Sequence, residues 1–360
     1  MNRNSIWNFD FALLVPAIVL AMLSLATMFS IDITFFKSQF IFLIIGLFVF
    51  FFFSQVNYKI IQLYMAPIYI VSLALLFIVL FLGIESRGSV RSIELLGFRV
   101  QFSEILKPFL AVSLAAYLSN LKNYSFRSLL SVGLLILPIA VLIFLEPDLG
   151  DALIYVLVAL LTLVFFGFPY KYFLAGFASI AAVFPILWHF LHDYQKQRLL
   201  TFIEPGKDPL GSSYNAIQSI IAVGSGMIIG KGFGEGTQSG LRFLPERHTD
   251  FIFATISEQV GFIGTLVILG AFVFLLYRIF IIFQNSRDRF SKVFSAVCFF
   301  IILLQFFINA GMNVGLLPIV GVTLPFVSYG GSSLLSNFII LGLLNAVEKS
   351  ARRDEVLEIG

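Results

Sequence analysis

The sequence contains very little charge. Asp, Glu, Lys and Arg make up only 12% of its 360 residues, whereas soluble domains contain roughly a quarter. It also has a single cysteine, Cys298, which excludes an intrachain disulfide framework and a cysteine metal site. In contrast, 59% of the residues are hydrophobic. No soluble fold could bury that much apolar surface, so the solvent for most of the chain is lipid.

The apolar residues fall into runs of the length that crosses a bilayer as a helix. About ten such spans are predicted, at residues 11–29, 36–53, 60–83, 104–119, 128–145, 151–167, 172–190, 252–277, 293–314 and 330–347. The pattern predicts an all-α integral membrane protein, a polytopic bundle that forms one membrane domain over residues 1–360.

Positive charges in the short connections predict the orientation. The basic connections, which contain for example Lys122, Arg127 and Arg289, are expected in the cytoplasm. An even number of spans then places both termini inside. By alternation, the long polar segment at about 191–251, between spans 7 and 8, is expected to be an extracytoplasmic loop.

The richest polar stretch is Leu244–Phe253, which ends this loop and runs into a span. Asp250 would lie near a helix N-terminus, where the helix dipole favours a carboxylate. It could simply cap that helix. Two features favour a functional role instead: Glu258 lies two turns deeper, and ionisable groups within spans are costly and usually functional. The same turn also contains Glu246, Arg247, His248 and Thr249.

Two further polar stretches are expected at the outer end of the bundle. Glu104 and Lys107 are three residues apart and meet on one helix face, either as a buried ion pair or as a cation offered to an anionic ligand. Residues 146–151 contain the carboxylates of Glu146, Asp148 and Asp151. Pro and Gly there indicate a turn, but three carboxylates exceed what a turn requires.

A Gly-rich run at residues 222–236 could bring backbone close to a pyrophosphate, with Lys231 beside it. It lacks the Lys-Ser/Thr ending of a nucleotide-binding loop, so the alternative is a re-entrant or irregular segment packed against the bundle. A second small-residue run, at residues 324–333, includes Ser328 and Ser332 and is interpreted as close helix packing.

These stretches together resemble the RodA/FtsW family, the "shape, elongation, division and sporulation" proteins of bacteria, over nearly the whole chain. The resemblance rests on the ordered segments 101–107, 146–150, 214–219, 244–253 and 324–333. The order Glu-Arg-His-Thr-Asp at residues 246–250 and the segment 319–321 favour the RodA branch. The chain departs from the family pattern at Ser92, Phe102, Asp151 and Gln259.

The resemblance implies a peptidoglycan glycosyltransferase for cell elongation, with cell division as the related role of the family. It would polymerise lipid II, using an undecaprenyl diphosphate-linked glycan as donor and inverting the anomeric centre. The catalytic Asp of the family corresponds to Asp250, a candidate general base. Candidate cations for the diphosphate leaving group are Lys107, Arg198, Lys231, Arg242 and Arg247. Further substrate-binding candidates are Gln218 and Ser219 in the matching 214–219 segment, together with Glu104, Glu146, Asp148, Glu246, His248, Thr249, Glu258, Ser328 and Ser332.

The implied partners are membrane lipids and a class B penicillin-binding protein, the transpeptidase, in the bacterial cytoplasmic membrane; no nucleic acid is expected. A divalent cation, Mg²⁺ or Mn²⁺, is conceivable near the diphosphate, although no ligand spacing specifies one. A lipid II flippase is the main alternative, but it would need a polar path near the bilayer midplane. A scaffold that only recruits enzymes would not explain so many ionisable groups at one membrane face.

Overall fold

The computed structural model describes residues 9–86, 89–95, 98–190, 193–204, 206, 211 and 213–358. Most of them are helical. The helices of the first half are α1 (Phe11–Ile31), α2 (Ile33–Phe53), α3 (Tyr58–Leu63), α4 (Met65–Leu82), α5 (Phe102–Ile105), α6 (Lys107–Ser119), α7 (Phe126–Leu145) and α8 (Leu149–Phe165). Those of the second half are α9 (Tyr170–Phe190), α10 (Asp193–Ile203), α11 (Tyr214–Ser225), α12 (Thr237–Gly240), α13 (Ile252–Asn285), α14 (Arg289–Asn313) and α15 (Gly331–Glu358).

The helices agree with the predicted spans. Within the described ranges, seven helices are long and apolar enough to cross a membrane: α1, α2, α4, α7, α13, α14 and the part Gly331–Ala351 of α15. The other three predicted spans coincide with α8, α6 and α9, which contain 17, 13 and 21 residues. The predicted fold class, a polytopic α-helical membrane protein, is confirmed.

Two regions differ from the prediction. The connection between α4 and α5 forms a three-stranded antiparallel sheet in the order β1 (Ile84–Ser86), β2 (Ser89–Leu95) and β3 (Phe98–Gln101). The long segment at about 191–251 is not simply a loop, because it contains α10, α11 and α12. These elements escaped the prediction because a search for 20-residue apolar runs does not detect short strands and short polar helices.

Helix reversals are marked by aspartates that accept hydrogen bonds from the next helix. Asp32 ends α1 and caps α2 by accepting from the Thr34 amide over 2.7 Å. Asp148 caps α8 through the Asp151 amide over 3.1 Å. Such caps satisfy backbone N–H groups that a helix start leaves unpaired. One end of the bundle, here called the site end, holds the end of α1 and the starts of α2, α6, α8, α13 and α15.

The opposite end of the bundle holds the starts of α3, α7 and α14. There, Arg278 of α13 forms ion pairs with Asp10, which caps α1, and with Glu348 of α15. The Asp10 amide also donates to Asn345 over 2.8 Å. All three charged side chains are largely buried. This cluster links the C-terminal part of α13 to α1 and to α15. The first 21 residues of α15 are mostly buried.

Helix α13 is interrupted at Gly261, which has φ 71° and ψ −159°. The break is bridged by the Gly-rich run, because residues 227–232 and 258–263 exchange four backbone hydrogen bonds of 2.9–3.2 Å. The approach requires glycine: a Cβ atom at Gly226 would lie 1.8 Å from a backbone oxygen, and one at Gly230 would lie 2.2 Å from another. Backbone N–H and C=O groups within a membrane must be paired by the protein itself. The inserted Gly-rich run pairs those that the break in α13 leaves open. It confirms the interpretation of the run as an irregular segment packed against the bundle.

Candidate functional site

Asp250 lies immediately before α13 at the site end. Its backbone carbonyl accepts two side-chain amide hydrogen bonds from α14, from Asn313 over 2.9 Å and from Asn309 over 3.1 Å. The N-cap residue of α13 is Phe251, not Asp250, and the Phe251 side chain makes no capping hydrogen bond. The alternative that Asp250 serves as the helix cap is therefore wrong. The residue is half-buried, and the two asparagines of α14 hold its main chain through hydrogen bonds.

The two asparagines connect Asp250 to the rest of the site. The Asn313 Oδ1 accepts from the Ala254 amide in the first turn of α13 over 3.1 Å. The predicted site residue Ser219, on α11, donates its hydroxyl to the Asn313 carbonyl over 2.9 Å. Ser219 is fully buried, so it supports Asn313 from behind. Sequence reasoning missed both asparagines, although amides four residues apart on one face of an apolar helix are a detectable signal.

The turn that precedes Asp250 is joined to the segment that leads into α15. The Ser328 hydroxyl donates to the Thr249 carbonyl over 2.8 Å and accepts from the Leu324 amide over 2.8 Å. The Thr249 hydroxyl donates to the Glu246 carboxylate over 3.0 Å. Ser328 is thus a buried joint between two predicted motifs, which extends the expected role of close packing.

His248 occupies a defined aromatic environment in the same turn. Its ring stacks on Phe35 of α2, with centroids 4.3 Å apart and planes 11° apart, and lies 5.6 Å from the Tyr329 ring. The His248 carbonyl accepts from the Tyr329 amide over 2.8 Å. These contacts attach the turn before α13 to α2 and to the start of α15.

An extended segment, residues 318–324, runs beside Asp250. A Cβ atom at Gly321, which has φ 76°, would lie 3.6 Å from the Asp250 Oδ2. On its other side, Gly150 approaches so closely that a Cβ there would lie 2.6 Å from the Val320 oxygen. Asn309 also holds this segment, donating to the Val322 carbonyl over 2.7 Å. The segment therefore lies between Asp250 and the carboxylates of residues 146–151 at the start of α8.

Lys107 is buried between two carboxylates. Its Nζ lies 2.8 Å from Glu104 Oε2 and 2.7 Å from Asp151 Oδ1, and all three side chains are 4% exposed or less. The Thr323 hydroxyl of the extended segment donates to the other Glu104 oxygen over 3.1 Å. The expectation that Lys107 is offered to an anionic ligand is corrected: its charge is committed to a buried ion cluster, as in the buried-ion-pair alternative.

The remaining residues of these motifs extend this buried cluster. Gln101 donates its side-chain amide to Asp148 over 2.8 Å, and its backbone amide donates to the Ser332 hydroxyl over 2.9 Å. Asp148 and Ser332 are buried, and Glu146 has no exposed surface. As candidates for direct substrate contact, Glu104, Glu146, Asp148 and Ser332 are corrected for the same reason. Glu104 belongs to α5, Glu146 ends α7, Asp148 caps α8 and Ser332 lies in the first turn of α15, so these helix ends meet at the site end.

Glu258 does not face Asp250. Its carboxylate has no exposed surface and accepts from the backbone amides of Gln238 and Ser239, each over 2.8 Å. Lys231 lies 3.7 Å from the same carboxylate and donates to the Thr237 hydroxyl over 2.9 Å. The expectation that Glu258 binds substrate is therefore corrected: the carboxylate holds the Gly-rich run and α12 against the broken α13. Lys231 remains about one-third exposed.

Two arginines supply accessible positive charge near Asp250. Arg242 is exposed and Arg247 is half-buried. Burial and the neighbouring Arg242 lower the pKa of the Arg247 guanidinium, while Asp32 at the start of α2 raises it. Arg247 and Arg242 are thus close enough to repel each other, an arrangement that an anion would relieve. Gln218 lies half-buried on α11, and the side chain of Arg198, in α10, lies outside the described residues.

Across the described ranges, no three His, Cys, Asp or Glu side chains form a group that could hold a metal ion. The carboxylates of the site end are close to one another, but the acidic cluster is neutralised in part by Lys107. The chain's own side chains are therefore suited to orienting, proton transfer and anion binding.

Comparison with known proteins identifies the family. The family model described as "Cell cycle protein", which covers FtsW, RodA and SpoVE, matches residues 4–353. The chain is 40% identical over 275 residues to the peptidoglycan glycosyltransferase MrdB of Escherichia coli K12, covering 74% of this chain and 73% of that protein. It is 39% identical over 288 residues to a probable peptidoglycan glycosyltransferase FtsW of Alcanivorax borkumensis, covering 78% and 74%.

Solved structures show the same architecture. A chain of a peptidoglycan synthase complex, studied for the coordination of polymerization and crosslinking, superimposes with a TM-score of 0.84 at 28% identity, covering 97% of this chain and all of that one. The rod shape determining protein RodA of Thermus thermophilus superimposes with a TM-score of 0.72 at 25% identity, covering 96% and 98%. The chain therefore belongs to the RodA/FtsW family of shape, elongation, division and sporulation proteins, on its RodA branch.

Proposed function

We propose that this chain is a peptidoglycan glycosyltransferase that polymerises lipid II into glycan strands at the outer face of the bacterial cytoplasmic membrane. In this orientation the site end faces outward and both termini lie in the cytoplasm. The names of the RodA and FtsW relatives support this activity. The observation that carries it is the half-buried Asp250, held through its backbone by Asn309 and Asn313 at the end of the bundle where a lipid-linked head group would lie.

Asp250 is the general base of the proposed reaction. Its carboxylate takes the proton of the acceptor hydroxyl on lipid II while that oxygen attacks the anomeric carbon of the growing glycan. The new glycosidic bond forms as the bond from the anomeric carbon to the diphosphate breaks, with inversion. A base must stay within hydrogen-bond reach of the hydroxyl, and the two amide hydrogen bonds to the Asp250 carbonyl limit how far the residue can move.

The leaving diphosphate needs positive charge and no proton. Arg242 and Arg247 supply it in this proposal, because burial and the repulsion from Arg242 both lower the pKa of Arg247, and a bound anion would offset that repulsion. Guanidinium groups also match phosphate geometry better than ammonium groups do. Lys231 is the third accessible candidate, because about a third of its side chain is exposed beside Glu258.

A divalent cation, Mg²⁺ or Mn²⁺, would be bound together with the substrate. Magnesium is commonly held by one or two carboxylates plus substrate phosphates, so the diphosphate itself would bring most of the ligands. Asp250 is the carboxylate of the site end that combines partial exposure with the proposed catalytic position. Such an ion would add to the positive charge that faces the diphosphate. Removal with EDTA, followed by re-addition of each metal, tests this requirement.

The proposed physiological role is cell elongation and shape, together with a class B penicillin-binding protein that cross-links the new strands. The assembly of the structurally similar synthase complex, which coordinates polymerization and crosslinking, supports such a pairing. Co-purification of the chain with a class B transpeptidase from the same cells, and stimulation of polymerisation by it, test the pairing.

The flippase alternative is less well supported. Across the helices of the predicted spans that the structure describes, with α15 taken as its apolar part Gly331–Ala351, Asp, Glu, Lys, Arg and His side chains lie near the helix ends, and the middle third of each has none. A transporter would be expected to bind its substrate near the bilayer midplane. Polymerisation by protein in detergent, where no second leaflet exists, distinguishes the enzyme from a transporter.

The decisive experiment uses the purified chain with lipid II, with and without the transpeptidase partner, and reads glycan ladders on a gel. Asp250→Asn is expected to abolish polymerisation while the protein stays folded. The matched control is Glu235→Gln, which removes an exposed carboxylate at the same end of the bundle and should leave the ladder unchanged. A wild-type ladder from folded Asp250→Asn protein would refute the assignment.

A further inference from the structure

A polar cavity of about 230 Å³ opens at the opposite end of the bundle, far along α15 from the candidate site. It is lined by residues 54–59, which connect α2 to α3, and by Ala346, Lys349 and Ser350 of α15. Nothing in the proposed catalytic reaction uses this cavity. The lining residues belong to the α2–α3 segment and to α15. The packing of these elements also positions the start of α15 at the site end.

The lining carries positive charge. Lys59 and Lys349 are both among the lining residues, and no carboxylate is among the described residues that line the cavity. The Lys349 ammonium donates to the neutral Gln55 side chain over 2.8 Å. Asn57 caps α3 with its side-chain oxygen, which accepts from the Lys59 amide over 3.0 Å, so its NH₂ group remains the donor on that side chain.

The carboxylate that contacts the lining residue Tyr58 belongs to Asp288. Asp288 accepts the Tyr58 hydroxyl over 2.8 Å and caps α14 by accepting the Ser291 amide and hydroxyl over 2.9 and 2.7 Å. Burial raises the pKa of Asp288, but the hydrogen bonds from Ser291 and Tyr58 outweigh it and lower the pKa below the ordinary value. Its negative charge is thus stabilised at the start of α14, behind the Tyr58 ring.

The two helices that flank the lining segment, α2 and α3, carry exposed apolar side chains. Phe48 and Phe52 of α2 are 70% and 57% exposed, and Ile60 and Leu63 of α3 are 54% and 77% exposed. In a membrane protein such a surface faces acyl chains. A basic, hydrogen-bonding cavity bordered by a lipid-facing apolar surface, at the end of transmembrane helices, has the composition of a site for an acidic lipid head group.

We propose that this cavity binds the head group of an anionic phospholipid, with its phosphodiester between Lys59 and Lys349 and its acyl chains along the exposed faces of α2 and α3. The Asn57 amide and the Ser350 hydroxyl supply further hydrogen bonds. The bound lipid joins α2 and α3 to α15, and so stabilises the helix whose first turn holds Ser332 in the buried cluster of the site end. The inference is independent of the proposed glycosyltransferase activity.

The test measures lipid retention by the full chain. Protein in a neutral detergent is titrated with phosphatidylglycerol or with phosphatidylcholine, and native mass spectrometry counts the lipids bound per chain. One tightly bound phosphatidylglycerol is expected, and phosphatidylcholine should bind much more weakly. Each lysine near a membrane surface contributes roughly fivefold to the affinity for an acidic lipid, so Lys59→Gln with Lys349→Gln should weaken binding about 25-fold.

Two control variants separate charge from folding. Lys59→Arg with Lys349→Arg keeps both charges and should retain the lipid. Lys122→Gln, at an exposed lysine of the α6–α7 connection at the same end, should bind like the wild type. Equal retention by the Gln double variant, or equal binding of phosphatidylcholine, would overturn the proposal. Displacement of the lipid by millimolar inorganic phosphate would identify a soluble phosphate site instead, and would also overturn it.

Discussion

Replacing Lys107 with methionine tests the buried ion cluster most directly. The ammonium lies 2.8 Å from Glu104 and 2.7 Å from Asp151, so removing it leaves two carboxylates facing each other in the interior. At a separation of roughly 5 Å and an effective dielectric constant of 20, their repulsion is about 3 kcal/mol. Breaking a buried ion pair by removing one partner costs about 3–5 kcal/mol. We therefore expect Lys107→Met to lower the free energy of unfolding by that amount.

The comparison that isolates the charge is a neutral triple variant, Lys107→Met with Glu104→Gln and Asp151→Asn. It preserves side-chain shape and removes both buried anions, so most of the lost stability should return, because neutral replacements of buried ion pairs are often tolerated. Lys37→Met, at an exposed lysine of the site end, should change stability by no more than about 0.5 kcal/mol.

Reversible unfolding in mixed detergent micelles, followed by far-ultraviolet circular dichroism, gives the free energy of unfolding of the wild type and of the three variants. A loss below about 1 kcal/mol for Lys107→Met would contradict the reasoning. So would a triple variant as unstable as the single one, because the damage would then come from packing and not from unpaired charge.

Two further perturbations test the supports of the site. Asn313→Ala removes one amide donor from the Asp250 carbonyl and should lower kcat of polymerisation about 10–100-fold with little change in KM, because small displacements of a catalytic group are costly; an equal effect on both constants would argue against a positioning role. Gly261→Ala should lower the free energy of unfolding by about 3 kcal/mol or more, because its Cβ would lie 2.3 Å from the Gly230 nitrogen. The control Gly270→Ala, with open space around its Cβ, should stabilise the helix slightly. Equal thermal midpoints for the two variants would refute the close approach.

The broken helix and the Gly-rich run illustrate how the site end is built. The run fills the gap in α13 with four backbone hydrogen bonds, and Glu258 then holds the following turn through the Gln238 and Ser239 amides. A buried carboxylate that accepts several backbone amides is well stabilised. This arrangement fixes the start of α13, and with it the position of Asp250, without any contact from Glu258 to the substrate.

Much of this protein could be predicted from the sequence because hydropathy is a local property. Apolar runs of about 20 residues specify spans, so the positions of α1, α7 and α14 were predicted closely. Charge and turn residues at the ends of those runs also located the polar motifs, including Asp250, at one end of the bundle. The strands within residues 84–101 were missed because they are too short to stand out in hydropathy. The two asparagines of α14 were missed because the polar motifs were located from charged and turn residues, and not from amides within the apolar runs.

The roles of the ionisable residues depended on contacts between segments far apart in the chain. Lys107 and Arg247 are both cations near the end of a span, yet only the ion pair between the starts of α6 and α8 shows that Asp151 engages Lys107, whereas Arg247 keeps part of its surface accessible. Glu258 and Asp250 are both acids near the start of α13. Only the insertion of the Gly-rich run shows that Glu258 has a supporting role and that Asp250 belongs to the candidate site. The sequence by itself determined that the chain lies in lipid and where its polar residues gather, because both follow from local composition. The tertiary structure decided which of those residues remain open to a substrate, because burial and pairing are properties of the whole bundle.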